Sequence, residues 1–135
     1  MLLMLIVLKI LHIILRHLVE TIPVFNYGKM ERDFTYITDI VAGVKAALFS
    51  SGLEPYEIFN LGNNRAENLM DFIKTLAGAL GVEPKMEMLP MQPGDVPVTF
   101  ADISKARKKL GYDPSTSISK GLPEFVKWYK EYFDC

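Results

Sequence analysis

The 135-residue chain holds one cysteine, two histidines and almost no net charge, and each scarcity removes a class of function. Cys135 has no partner for an internal disulfide, so nothing requires an oxidising compartment and a reducing cytoplasm is expected. His12 and His17 stand in an apolar stretch without cysteine or carboxylate neighbours at ligand spacing, which gives a zinc site no support. Fifteen basic against sixteen acidic residues leave a formal charge of −1, too little to draw nucleic acid or an anionic membrane over distance. There is no Walker A loop, no G-x-S-x-G elbow and no G-x-G-x-x-G after a strand, so no local nucleotide or dinucleotide fingerprint.

A membrane-length apolar run is missing too. "MLLMLIVLKILHIILRHLVE" is interrupted at Lys9 and His12, and no basic residue precedes it as a signal peptide requires. Its uninterrupted part, Met1 to Leu8, is far short of the roughly 20 residues a spanning helix needs. Residues 1–21 are therefore expected to form an apolar segment buried between other elements, with membrane association the alternative. Such a segment also implies a covering partner or a further domain.

What is present alternates in character. Ile22 to Tyr27 reads as a strand ended by Gly28, and Phe34 to Ile37 as a second extended piece. Thr38-Asp39 offers a cap for a helix carrying Ile40, Val41, Val44 and Leu48, stopped at Ser50-Ser51-Gly52. Tyr56 to Gly62 alternates Ile58 and Asn60 with Phe59 and Leu61, the pattern of a buried strand. Leu69, Phe72, Ile73, Leu76 and Leu80 define an amphipathic helix with Asn68 as its cap and Gly81 as its stop. "KMEML", Lys85 to Leu89, is a strand with Met86 and Met88 on one side, and "VTFAD" a short extended piece. Ser104 caps a helix ending at Gly111. A last helix places Leu122, Phe125, Val126, Tyr129 and Phe133 on one face. Pro123 fits only near its first turn, which favours Ser119 over Ser117 as its cap. Strands alternating with helices in one linker-free unit indicate an α/β fold.

Two loops carry the polar groups that bear on function. In "GKMERDF", Arg32 follows a glycine turn and presents a planar fork of donors suited to phosphate oxygens. An arginine beside Glu31 and Asp33 equally describes a solvated ion pair. In "PMQPGDVP", Gln92 and Asp95 sit in a rigid loop able to hydrogen-bond sugar hydroxyls or a base edge, and an ordinary Asx turn fits as well.

Taken in order, "GKMERDFTYITDIVAGVKAAL", "YEIFNLGNN", "LMDFIKTLAGALG" and "MLPMQPGDVPVTFADISKARKKLGYDPSTSISKGLPEFVKWYKEYF" resemble the C-terminal part of nucleotide-sugar epimerases. These are extended short-chain dehydrogenase/reductase enzymes, and the "LPMQPGDVPVTFAD" wording is most similar to the UDP-glucuronate 4-epimerase branch. The resemblance implies a UDP-sugar-binding domain over residues 22–135. It implies that Arg32 contacts the diphosphate, that Phe34 lies near the nucleotide without a hydroxyl to donate, and that Asp95 serves the nucleoside side. Gln92 stands where many relatives carry a second diphosphate-binding arginine, and keeps a hydrogen-bond donor without the charge.

The same resemblance implies a catalytic half that these residues do not supply. The family's NAD loop is glycine-rich, and its proton-transferring pair is Tyr-x-x-x-Lys; none of the six tyrosines here has lysine at that offset. The expectation is a substrate-binding portion with no catalytic residues of its own. The intact enzyme would hold NAD and convert UDP-glucuronate to UDP-galacturonate, whereas this chain alone is expected to bind no NAD and to be inactive. A non-enzymatic interaction module using the apolar segment, or a portion of a sugar-nucleotide 4,6-dehydratase, are the alternatives. Faces that pack on the missing half predict a homo-oligomer or a marginally stable monomer.

Overall fold

A computed structural model describes residues 21–134. The expectation of a buried apolar segment therefore lies, apart from Thr21, outside the described residues, as do His12, His17 and Cys135.

The first strand, β1 (Ile22–Val24), buries Ile22 and Val24 and exposes Pro23, the alternation expected of a strand with one covered face. It stops three residues earlier than the apolar run suggested. Phe25–Gly28 instead forms a tight turn in which Asn26 and Tyr27 adopt left-handed backbone, and the Asn26 side-chain amide donates to the Lys29 carbonyl at 3.0 Å. β1 pairs in parallel with β4 (Met86–Met88), Ile22 opposite Met86 and Val24 opposite Met88.

A second sheet has the order β3-β2-β5, with β2 (Glu31–Arg32) between β3 (Glu67–Asn68) and β5 (Val98–Thr99). β2 is antiparallel to β3 and parallel to β5. The aromatic and β-branched residues Phe34 to Ile37 were expected to supply this strand, yet the charged Glu31 and Arg32 supply it. Strand position follows available partners: Glu31 N–H donates to the Pro97 carbonyl at 2.8 Å, and Leu69 N–H to the Met30 carbonyl at 2.8 Å.

Helix α1 (Ile37–Phe49) begins one residue before the expected Thr38-Asp39 cap, and Tyr36 takes the cap position. Asp39 lies inside its first turn and is used elsewhere, accepting from Thr116 N–H at 3.0 Å. Ser50 closes the helix as anticipated. Tyr56 to Gly62 is not a strand: no described strand offers it a row of partners, and Tyr56 and Ile58 are exposed. Its alternation survives, with Phe59 and Leu61 turned into a small cluster around Ile103, Ala106 and Tyr112.

Helix α2 (Leu69–Leu80) matches its sequence signal. The Asn68 side chain accepts from Met70 N–H at 2.8 Å, a cap that stabilises a helix by about 1 kcal/mol, and Gly81 closes it. Its buried residues Phe72, Ile73 and Leu76 meet Leu122 and Val126 of helix α4 (Ile118–Phe133) and Ile22 and Val24 of β1 in the main core. α4 begins after Ser117 rather than Ser119, so Pro123 lies beyond the first turn. It is tolerated because it faces solvent, where water can reach the carbonyl that loses its bond. The short helix α3 (Ser104–Leu110) starts at Ser104 itself, and its capping oxygen comes from Asp102, which accepts from Ser104 N–H at 2.9 Å. The Ser104 side chain first, and then this backbone bond, hold the Asp102 carboxyl below its ordinary range.

Candidate functional site

The site is built where β2 is flanked by the chain on both sides. Arg32, the second residue of this central strand, is only 6% exposed. A buried guanidinium must have acceptors, and here the backbone supplies them. Nη1 donates to the carbonyls of Glu31 at 2.8 Å and Pro97 at 3.1 Å, and Nη2 donates to Asp95 Oδ1 at 2.8 Å. The solvated pair with Glu31 or Asp33 does not form; the acid that neutralises Arg32 is 63 residues away in sequence. Arg32 and Asp95, singled out separately in two loops, are thus one unit.

Asp95 is placed by a four-residue turn. Its N–H donates to the Gln92 carbonyl at 3.2 Å, Pro93 fixes the second position, and Gly94 takes the positive φ of 82° required at the third. Asp95 Oδ1 also accepts from Val96 N–H at 2.9 Å, which aims the carboxylate back toward β2. Gln92 opens the same turn and is exposed to solvent. Phe34 is half-buried, its ring stacked on Phe72 with centroids 4.2 Å apart, so it is anchored on the main core two residues from Arg32. The structure brings Arg32 and Asp95 into contact and sets Gln92 at the other end of the Asp95 turn; Phe34 is tied to the core instead.

One organising residue escaped the sequence reading. Asp33 accepts four hydrogen bonds: from Thr35 Oγ1 at 3.1 Å, Asn63 N–H at 2.6 Å, Asn64 N–H at 3.1 Å and Ala101 N–H at 3.0 Å. It pins the end of β2 to the Gly62-Asn63-Asn64 turn and to the chain leaving β5. Gly62 is there because nothing larger fits: a Cβ would lie 2.5 Å from Ala101 Cβ and 2.8 Å from Asp33 Oδ2. The one local sign was Thr35 two residues on; the other three donors lie 30 to 68 residues away and leave no local signal.

A second electrostatic cluster lies along α3. Lys105 and Lys109, one helical turn apart, both reach Glu57, at 3.0 Å for Lys105 and 2.7 Å for Lys109. Lys109, then the Glu54 N–H, then Lys105 hold the Glu57 carboxyl down to about 2 from an ordinary 4.5. Nothing in this arrangement presents a free acid or base. Among the described residues no cluster of histidine, cysteine and carboxylate side chains could hold a metal ion, and no helix is long and apolar enough to cross a membrane.

Neither α1 nor α2 offers the usual seat for a dinucleotide. In doubly wound folds the pyrophosphate of a dinucleotide sits on a glycine turn leading from a strand into open N–H groups at a helix start. α1 follows Tyr36, whose carbonyl accepts from Asp39 and Ile40 N–H, and α2 continues straight from β3 with its Met70 N–H taken by Asn68.

Comparison with known proteins agrees with this architecture. The family model described as GDP-mannose 4,6 dehydratase matches residues 4–125. UDP-glucuronate 4-epimerase 4 of Arabidopsis thaliana is 40% identical over 120 residues, covering 80% of this chain and 28% of that protein. UDP-glucuronate 4-epimerase of Thermodesulfobacterium geofontis is 43% identical over 113 residues, covering 83% and 34%. Among solved structures, a variant of UDP-glucuronic acid 4-epimerase from Bacillus cereus, in complex with a fluorinated UDP-glucuronic acid and NAD, superposes with a TM-score of 0.73 at 34% identity, covering 84% of this chain and 36% of that one. The chain thus spans about a third of the length of the relatives it matches. It belongs to the GDP-mannose 4,6 dehydratase family, and within it is similar to part of the UDP-glucuronate 4-epimerases of the extended short-chain dehydrogenase/reductase type.

Proposed function

We propose that this chain is the UDP-sugar-binding portion of a nucleotide-sugar 4-epimerase, acting in the cytoplasm. In the intact enzyme, with NAD, the reaction would be interconversion of UDP-glucuronate and UDP-galacturonate. The observation that carries the reading is the state of Arg32. Its guanidinium is buried, fixed by three hydrogen bonds, and still holds hydrogens on Nε and Nη2 that have no acceptor among the described residues. Those two nitrogens form one edge of the guanidinium, the fork that suits phosphate oxygens. Arg32 takes the diphosphate in this reading, with Gln92 and Asp95 on the nucleoside side and Phe34 as an apolar wall beside it. The relatives' structures support the ligand class: one holds a UDP-glucuronic acid analogue and another, from Thermotoga maritima, UDP-glucose.

The chain alone turns over no substrate in this proposal, because neither the hydride carrier's loop nor the Tyr-x-x-x-Lys base is among its residues. Calorimetric titration with UDP tests the binding claim. Wild type is expected to bind, and Arg32→Ala to weaken binding by about 1.5–3 kcal/mol, the contribution of a hydrogen bond to a charged group. Equal affinity in the two proteins overturns the assignment, as does turnover of UDP-glucuronate by the purified chain with added NAD.

A second reading, an interaction module without enzymatic role, is favoured by one face of α1. Ile37, Val41, Val44 and Leu48 recur along it and are all exposed, a continuous apolar stripe. Wild type that binds no UDP would favour that reading.

A further inference from the structure

Asp95 stands in an ambiguous place for a diphosphate site. A carboxylate 2.8 Å from the guanidinium cancels the charge that would attract the ligand. If charge alone mattered, Asp95 would oppose binding. Geometry points the other way. Arginine has five N–H donors, and the two on Nη1 are taken by the carbonyls of Glu31 and Pro97. Asp95 Oδ1 takes one on Nη2, so Nε–H and one Nη2 hydrogen are left without an acceptor among the described residues. Without that contact Nη2 has no partner, and the long side chain regains rotamer freedom that binding would have to remove again. Oδ1 is itself held by Val96 N–H at 2.9 Å, while Asp95 Oδ2 accepts nothing among the described residues.

We propose that Asp95 is a positioning residue: it holds the Arg32 guanidinium so that its Nε–Nη2 edge faces a diphosphate, whatever else it contacts on the ligand. The inference rests on the UDP-sugar reading and refines it, by making part of Asp95's contribution independent of the nucleoside. The 90–97 loop thereby belongs to the phosphate site as well as to the sugar-nucleoside side. One oxygen, Asp95 Oδ1, joins the turn of this loop to the arginine.

Inorganic pyrophosphate separates the possibilities, because it has the phosphates of UDP and neither ribose nor base. The full chain, as wild type, Asp95→Ala and Asp95→Asn, is titrated with pyrophosphate and with UDP, and thermal melts check that each variant is folded. Asp95→Ala is expected to weaken pyrophosphate binding about three- to tenfold, despite removing a negative charge. Asp95→Asn, which keeps an oxygen for Nη2, is expected to recover most of that loss. Unchanged or tighter pyrophosphate binding in Asp95→Ala overturns the proposal, and so does a loss confined to UDP. An Asp95→Asn protein as weak as Asp95→Ala does the same. If wild type binds pyrophosphate but not UDP, the UDP-sugar reading fails while the role of Asp95 is still decided by the variants. Wild type that binds neither overturns both.

Discussion

The Tyr112 hydroxyl donates a 2.9 Å hydrogen bond to the Gly62 carbonyl, 50 residues earlier in the chain. Tyr112 belongs to the smaller core with Ile103 and Ala106, and Gly62 opens the turn whose N–H groups hold Asp33. The smaller core and the candidate site therefore share one anchor. Removing only the oxygen, in Tyr112→Phe, is expected to cost about 1–2 kcal/mol in urea denaturation, since the Gly62 carbonyl is left without its partner. Burial, then the charges of Asp39 and Asp33, push the phenol above its ordinary 10.0. The fold holds this proton more tightly than the unfolded chain does, so stability is undiminished below about pH 10 and falls above it. Tyr112→Phe is expected to lose less stability than wild type across that alkaline range.

Asp33 is the next test of how the site is assembled. Its two oxygens accept four bonds, three of them from backbone N–H groups that have no other acceptor at hand. Asparagine offers one oxygen and turns an amine toward two of those donors. Asp33→Asn is therefore expected to destabilise by about 2–4 kcal/mol, well beyond an ordinary surface substitution. A change below roughly 0.5 kcal/mol in the denaturation midpoint analysis would show that the hub is not needed.

Local signals were legible where the partner of each group was also local. Asn68 and Gly81 bracket α2 with contacts inside a few residues, and the Leu69 to Leu80 periodicity needs only a hydrophobic side to face. β4 was readable from its own short alternating run, although its partner β1 lies 64 residues earlier in the chain. Misplaced elements depended on distant partners. β2 formed at Glu31–Arg32 because Pro97, Asp95 and Glu67 lie on either side of it, none visible from the residues themselves. Tyr56 to Gly62 had the right alternation and no strand to pair with among the described residues. Arg32 and Asp95 are visible in the sequence as polar residues in turn-rich loops and through the family resemblance. That they touch each other, and that Asp33 rather than a ligand-facing group organises the turn, are long-range facts.

Glu57 gives the acid side of the pH dependence. Lys109 Nζ lies 2.7 and 2.8 Å from its two oxygens, Lys105 Nζ lies 3.0 Å from Oε2, and the Glu54 N–H donates at 2.9 Å. These donors lower the carboxyl from 4.5 to about 2 in the fold. A depressed carboxylate contributes stability that is complete above its unfolded value and is lost as pH falls through its folded value. The window therefore runs from about 4.5 down to about 2. Glu57→Gln keeps the shape and cannot ionise, so the stability gap between wild type and this variant should be widest at pH 6 and narrow steadily through that window. Denaturant titrations at pH 6, 4 and 3 read the gap directly. Because both lysines project from α3, a parallel narrowing is expected at pH 6 when the ionic strength is raised to 1 M, where the Debye length shortens to about 3 Å. A gap that stays constant with pH would mean that the lysines touch Glu57 without stabilising its charge.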